Sequence, residues 1–411
     1  MFRLNSRGVW AVRWVASGAT AAIVAGGINA AAGQRRSGPA RWIAAWSTSQ
    51  QALGNTAISN ATVRMIARVS IPGEQVRVRF DNTYGTTPLP IGRASVALRR
   101  GGATLVPASL KRLTFAGAEQ ATVPPGGSIV SDAVPLAVRA RQDLAVSFHV
   151  AGRDVRPSQH TNGLVTSFIT ADNAGDATGE ESDKPFINKT TAGLWLKSVD
   201  VFSNQATGGI VAFGDSITDG SCATPDAYER WPDQLAQRLE LAGRVVSVLN
   251  EGIGGNTVLP KHPDPVPPTG LAGLDRVDRD VLSHPGMTHV VIFIGTNDLR
   301  RSATPPMVSE GLETLVKRVK AKGLKVIGAT LVPRHNNTGQ TPWDPTKTAR
   351  RNELNTWIRT KAPFDAVLDF DTVVRNPSSP DLLEPIYDCD GIHPSPRGYY
   401  EMAKSVKLTL F

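Results

Sequence analysis

The stretch IVAFGDSITDG, residues 210–220, runs four apolar residues into Gly214-Asp215-Ser216 and so ends an apparent buried strand on a hydroxyl. Gly, Asp and Ser also build ordinary turns, and Ser216 alone reads most simply as one. The alternative is a nucleophile at the carboxyl end of a parallel strand. Other segments of the chain decide between the two.

After residue 208, apolar runs alternate with helical patterns. The runs are GGIVAFG, RVVSVLN, THVVIFIG, LKVIGATLV and AVLDFD. Trp231, Leu235 and Leu239 recur at i, i+4, i+8, and Leu312, Leu315, Val316 and Val319 at i, i+3, i+4, i+7 before Gly323. Tyr399, Met402, Ala403 and Val406 repeat the helical spacing behind Ser395-Pro396, an N-cap followed by proline at the first helical position. Strand and helix in alternation predict an α/β region with a parallel sheet covered on both faces.

Between about 60 and 205 the period is two. QVRVRF and LAVSFHV alternate apolar and polar residues, and turn clusters such as DNTYGTTP and VPPGGS separate the runs. This predicts a β-sandwich of half-buried antiparallel strands, with 171–190 as a long polar surface loop. At 411 residues the chain exceeds the roughly 250–300 that one core usually serves, so two domains are expected. Their spans are 40–207 and 208–411, with the boundary near 205–209.

Residues 1–32 read as a signal peptide. Arg3, Arg7 and Arg13 precede an apolar middle, and Ala30-Ala31-Ala32 supply a small-residue cleavage site. The apolar run is short of the ~20 residues a span needs, and a retained anchor is the alternative. The expectation is a secreted or periplasmic protein without stable membrane insertion. Without that segment the chain has 42 basic and 36 acidic residues, a scattered excess with no basic stripe, which argues against nucleic acid. Export would also put Cys222 and Cys389 where disulfides persist.

Function in an open parallel sheet sits beyond the carboxyl ends of its strands. GDS follows the first expected strand, NEGIGGN (250–256) the second and GTND (295–298) the third; DGIHP (390–394) precedes the last helix. Singly these are a turn, a glycine loop, a self-capping asparagine and an exposed histidine. Jointly they offer what acyl transfer needs: a nucleophile, a base, a group to orient the base, and donors for an oxyanion. Thr218 stands where a Gly-x-Ser-x-Gly elbow has its second glycine, which argues against an ordinary α/β-hydrolase.

The ordered words GDS, glycine block, GTND and D-x-x-H resemble the SGNH (GDSL-type) hydrolases over residues 209–411. That resemblance implies a flavodoxin-like three-layer α/β/α fold and serine esterase chemistry. It makes Ser216 the nucleophile, His393 the base and Asp390 its partner. It also assigns the oxyanion hole to the N–H groups of Ser216 and Gly255 and the Asn297 side chain. RVRFDNTYGTTPL, LAVSFHVAG and VAFGDSITDG resemble the xylanase-associated (XynE-like) GDSL esterases, whose catalytic unit follows an N-terminal β-domain. This resemblance points to a jelly-roll-like sandwich and to acetyl esters of plant polysaccharide such as xylan. A lipase, lysophospholipase or arylesterase is the alternative within the family.

Two other classes compete. Asp215, Asp219, Asp298, Asp388, Asp390 and His393 would suit a metal-dependent phosphoesterase, at the cost of leaving Ser216 and Asn297 without a role. A non-catalytic glycan binder is the other, with Trp46 and Trp195 as sugar platforms. The esterase reading needs no cofactor and no metal. Pro-rich 258–275 would form a semi-rigid loop beside the glycine block. If Ser216 and His393 meet, their loops meet, and Cys222 and Cys389 should form a disulfide.

Overall fold

Alternation in the first half produces two larger antiparallel sheets and a small three-stranded one. One sheet is built on Arg41–Ser47, Leu196–Ser203, Gly73–Asp81 and Val134–Val138, the other on Ala61–Arg68, Asp143–Val150 and Leu89–Gly101. Their inner faces meet through aromatic side chains: the Phe80 and Phe148 rings lie 5.0 Å apart, and Phe148 meets Trp195 edge-on at 6.0 Å. Trp195 is fully buried, with its indole N–H donated to Asn82. It is a core residue and offers no platform to a sugar, a correction to one sequence expectation.

Segment 171–190 is the expected surface loop, mostly exposed and ending in the short strand Asn188–Thr190. Its Ala177 and Phe186 are buried against Ile66, Ala97 and Ala145, so it covers the outer face of the larger sheet. Arg64, on that face, donates to the Glu180 carbonyl and packs its guanidinium 3.9 Å from the centre of the Phe186 ring. Of its two large apolar side chains, Phe186 is buried there and Ile187 stays exposed.

The second half forms a five-stranded parallel sheet of β1 (Gly208–Gly214), β2 (Val246–Gly252), β3 (His289–Phe293), β4 (Lys325–Ala329) and β5 (Ala366–Leu368), in the order 2-1-3-4-5. β1 is buried along its whole length, as a strand covered on both faces must be. Helices α1 (Ser216–Asp219), α2 (Trp231–Leu241), α3 (Thr296–Arg300), α4 (Pro305–Lys320), α5 (Pro345–Thr360) and α6 (Pro396–Ser405) connect and cover the strands. Ser395 caps α6 as its sequence predicts, accepting from the Gly398 N–H. The run AVLDFD is shorter as a strand than it reads, because Asp369 caps a helical turn beginning at Phe370.

This computed structural model describes residues 39–264, 269–336 and 342–411; the expected leader lies outside them. The described residues pack as one compact unit, and a single apolar cluster includes residues of both halves. β2 is an edge strand of the parallel sheet, and its free edge is covered by the β-rich region. Val248 N–H donates to Ser70 Oγ, and Ser247 Oγ donates to the Ala44 carbonyl. Covering the edge removes a template for unwanted strand pairing. No helix among the described residues is long and apolar enough to cross a membrane.

Under that contact lies a buried ionic cluster. Lys197 Nζ of the β-rich region donates to Glu251 at 2.9 Å and Asp280 at 2.8 Å, and His284 meets the other Glu251 oxygen at 2.7 Å. Arg276 donates to Asp280, to Ser49 Oγ and to the Glu251 carbonyl. Burial alone would raise the Glu251 pKa, but the charges of Lys197 and then His284 outweigh it and hold the carboxylate at about 2.

Candidate active site

The serine stands where β1 stops. Gly214 is required there, since a Cβ would lie 2.2 Å from Thr218 Oγ1 and 2.6 Å from the Phe293 carbonyl. Asp215 caps α1 by accepting from the Ile217 N–H, which puts Ser216 at the first helical position. Desolvation pushes the buried Asp215 carboxyl up to about 6, against the Ile217 bond and the charges of His393 and Arg334.

The loop before α6 brings the histidine to the serine. His393 Nε2 is 2.9 Å from Ser216 Oγ, and His393 Nδ1 is 2.8 Å from Asp390 Oδ2. A carboxylate only accepts, so the Nδ1 proton points to Asp390 and Nε2 is free to accept from the hydroxyl. Asp390 is itself fixed by the N–H groups of Ile392 and His393. Partial burial acts to raise its pKa, but the bonds from His393 prevail and hold the group at about 2. The three residues that sequence spacing singles out therefore form one continuous hydrogen-bonded chain.

Cys222 and Cys389 are joined by a disulfide, with Cα atoms 6.5 Å apart across 167 residues of sequence. The bond ties the segment after α1 to the residue before Asp390. Tyr399 adds a second tie by donating to the Ser221 carbonyl at 2.6 Å. Reducing the disulfide is expected to cost about 2–4 kcal/mol and to lower kcat before the parallel sheet melts. Turnover and far-ultraviolet circular dichroism followed through a reductant titration check this. Simultaneous loss of both would mean that the bond serves the fold alone.

The glycine block and Asn297 follow β2 and β3, the two strands that flank β1. Ile253 to Asn256 form a turn closed by Asn256 N–H to the Ile253 carbonyl, with Gly255 at φ +73° in the position that demands glycine. The Gly254 N–H donates to Asp219, whereas that of Gly255 meets no acceptor among the described residues. Asn297 is buried; its Nδ2 donates to the Asn256 carbonyl at 3.1 Å and its Oδ1 accepts from Arg334 at 3.4 Å. Asn256 is held in turn by Arg276, Thr269 and Leu271.

The carboxylates of the metal reading do not converge. Asp219 is bound by His160 and Gly254, and Asp298 by the Val258 and Leu259 N–H groups and His262. Asp388 accepts from the Gly391 N–H and pairs with His335. Among the described residues the single group of ligand types within metal-binding reach is Cys222, Asp390 and His393, and its sulfur is in the disulfide. Asp298 instead anchors the start of the Pro-rich loop through the Val258 and Leu259 N–H groups.

Sequence reasoning missed three residues around this site. His160, from the β-rich region, is buried between the Ser49 carbonyl and Asp219, and through Asp219 it reaches the Gly254 N–H. Arg276 links the Gly214 carbonyl at the strand tip to Asn256. Arg334 holds Asn297. Arg334 was findable, because it follows β4 as the other site residues follow β1, β2 and β3. His160 and Arg276 carry no local signal.

Residues 212–400 match the model of the GDSL-like Lipase/Acylhydrolase family. Over those residues the chain is similar to the GDSL-like lipases and acylhydrolases. Among solved structures the chain is similar to the native M. smegmatis aryl esterase, at 21% identity, covering 48% of this chain and 96% of that one with a TM-score of 0.39. It is similar to Est24, a carbohydrate acetylesterase from Sinorhizobium meliloti, at 21% identity over 48% and 95% with a TM-score of 0.36. It is also similar to a lipase/acylhydrolase from Enterococcus faecalis, at 25% identity over 48% and 93% with a TM-score of 0.38. No curated protein matches the chain.

Proposed function

We propose that the protein is a serine esterase that removes short acyl groups, acetyl foremost, from carbohydrate esters of the plant-polysaccharide kind. The observation that carries the chemistry is the chain from Ser216 Oγ through His393 to Asp390, at 2.9 and 2.8 Å. His393 takes the hydroxyl proton as Ser216 attacks the ester carbonyl, and Asp390 stabilises the imidazolium. The N–H groups of Ser216 and Gly255 and the free N–H of Asn297 receive the oxyanion. His393 then protonates the departing alkoxide, and water, activated by the same imidazole, hydrolyses the acyl-enzyme.

The preference for short acyl groups rests on the neighbours of the oxyanion side. Asn297, Asn256, Arg334 and Thr269 are polar and would line a long alkyl chain poorly. For the alcohol part, a cavity of about 410 Å³ bordered by Arg334, His335, Trp343, Asn352 and Asp381 offers room. The carbohydrate assignment draws on the resemblance to the xylanase-associated esterases. Export belongs to the same reading, since the disulfide is suited to an oxidising compartment.

A hydrolysis panel tests the proposal. Aryl acetates and acetylated xylan are expected to turn over well, with kcat/KM falling as the acyl chain lengthens. A preference for long-chain esters would replace this reading with a lipase, and activity on aryl acetates without acetylated xylan would leave an arylesterase.

A further inference from the structure

Arg334 lies just beyond the carboxyl end of β4 and is only 4% exposed. Its Nη1 donates to Asn297 Oδ1, and its guanidinium sits 5.2 Å from the centre of the Trp343 ring. Among the described residues its buried Nε has no hydrogen-bond partner, and no carboxylate lies within ion-pair distance of the guanidinium. Burial, then repulsion from Arg300, outweighs the attraction of the more distant Asp215 and Asp390 and lowers its pKa to about 10, so it is a cation at neutral pH. A buried charge without a touching counter-ion is costly, and one kept beside a reacting centre calls for a reason.

The bonds around Asn297 supply that reason. Arg334 can only donate and the Asn256 carbonyl can only accept, so together they fix which end of the amide is oxygen and which is nitrogen. One N–H is committed to Asn256, and the second remains for the substrate. A cation drawing on Oδ1 also strengthens donation from Nδ2, because linked hydrogen bonds polarise one another. We propose that Arg334 is the positioning residue of the oxyanion hole: it locks the Asn297 amide with its free N–H presented, and its charge, which touches no carboxylate among the described residues, is answered by the oxyanion in the transition state. This rests on the acyl-enzyme reading above.

The test measures kcat and KM on an aryl acetate, and the rate of inactivation by an organophosphonate, for the full chain and its variants. Arg334→Met is expected to lower kcat by about 10- to 100-fold, less than the 10²–10³ of deleting a whole oxyanion donor, with KM changed less than about threefold. Phosphonate inactivation should slow in parallel, which a merely structural role would not produce. Arg334→Lys keeps the charge but loses the planar fork and should recover part of the loss. In an Asn297→Ala background, Arg334→Met should cost less than about threefold, since the group it positions is gone. If Arg334→Met does not fold, the Lys variant in both backgrounds gives the same comparison. A pure KM effect, or full additivity with Asn297→Ala, overturns the proposal. Ser216→Ala run alongside separates the two levels: residual turnover there overturns the acyl-enzyme reading and this proposal with it. A dead Ser216→Ala beside a wild-type Arg334→Met overturns only the role of Arg334.

Discussion

Replacing Ser216 by alanine is expected to reduce ester hydrolysis by at least about 10⁴-fold while leaving the fold in place. The side chain is small and its removal opens little space. The cap on α1 comes from Asp215, not from Ser216. What disappears is the atom that attacks the carbonyl and the partner of His393 Nε2. Residues that act as a unit are strongly non-additive, so losing the nucleophile should cost about as much as losing nucleophile and base together. His393→Ala should accordingly match Ser216→Ala closely, and the double variant should be no worse. An organophosphonate should label Ser216 in the wild-type protein and no residue in the variant, as peptide mass spectrometry would read. Unchanged turnover in Ser216→Ala, or sensitivity to EDTA without sensitivity to phosphonate, would revive the phosphoesterase alternative.

Which parts of this site the sequence discloses follows from how each residue is held. Ser216, Gly255 and Asn297 sit directly beyond β1, β2 and β3, and a parallel sheet must deliver its strand ends to one edge. Asp390 and His393 are three apart on one loop, so their pairing is local. The disulfide was legible by transitivity, since bringing Ser216 to His393 carries Cys222 to Cys389. Asp390–His393–Ser216 is thus readable without coordinates.

The β-rich region gave no such access. His160 reaches Asp219 across 59 positions, and nothing near it in sequence distinguishes it from a surface histidine. Arg276 carries no local signal either, yet is wholly buried on Glu251, Asp280, Asn256 and Gly214. The edge of β2 explains why. A strand edge and the ionic groups below it need cover from elsewhere, and the chain supplies it from residues 41–71 and 196–203. Polar residues used in such long-range contacts look like solvent-facing ones, because composition and period report only local geometry.

That long-range contact has its own expected result. Lys197→Met should destabilise the protein by roughly 3–5 kcal/mol, the cost of removing one partner from a buried ion pair, against a total of some 5–15 kcal/mol. The methionine replaces the stem of the lysine, so the loss is mainly of charge. Glu251 and Asp280 are then both buried with Arg276, Arg279 and His284 as remaining partners, which favours the lower end of the range. The pH dependence distinguishes this from a packing defect. Glu251 has a folded pKa of about 2, below the ~4.3 of an unfolded glutamate. A depressed acid contributes its stability above the unfolded value and loses it as pH falls through the folded one. The gap between wild type and variant should therefore be widest at neutral pH and narrow between about pH 4 and 2. Chemical denaturation across that range measures it. A gap that stays constant with pH would assign the loss to packing. Lys197 lies in the β-rich region and both carboxylates in the α/β region, so the denaturation midpoints of tryptophan fluorescence and of esterase activity should shift together. If activity outlasts the variant's loss of β-region structure, the cluster is not what couples the two regions, and the parallel sheet keeps its edge by other means.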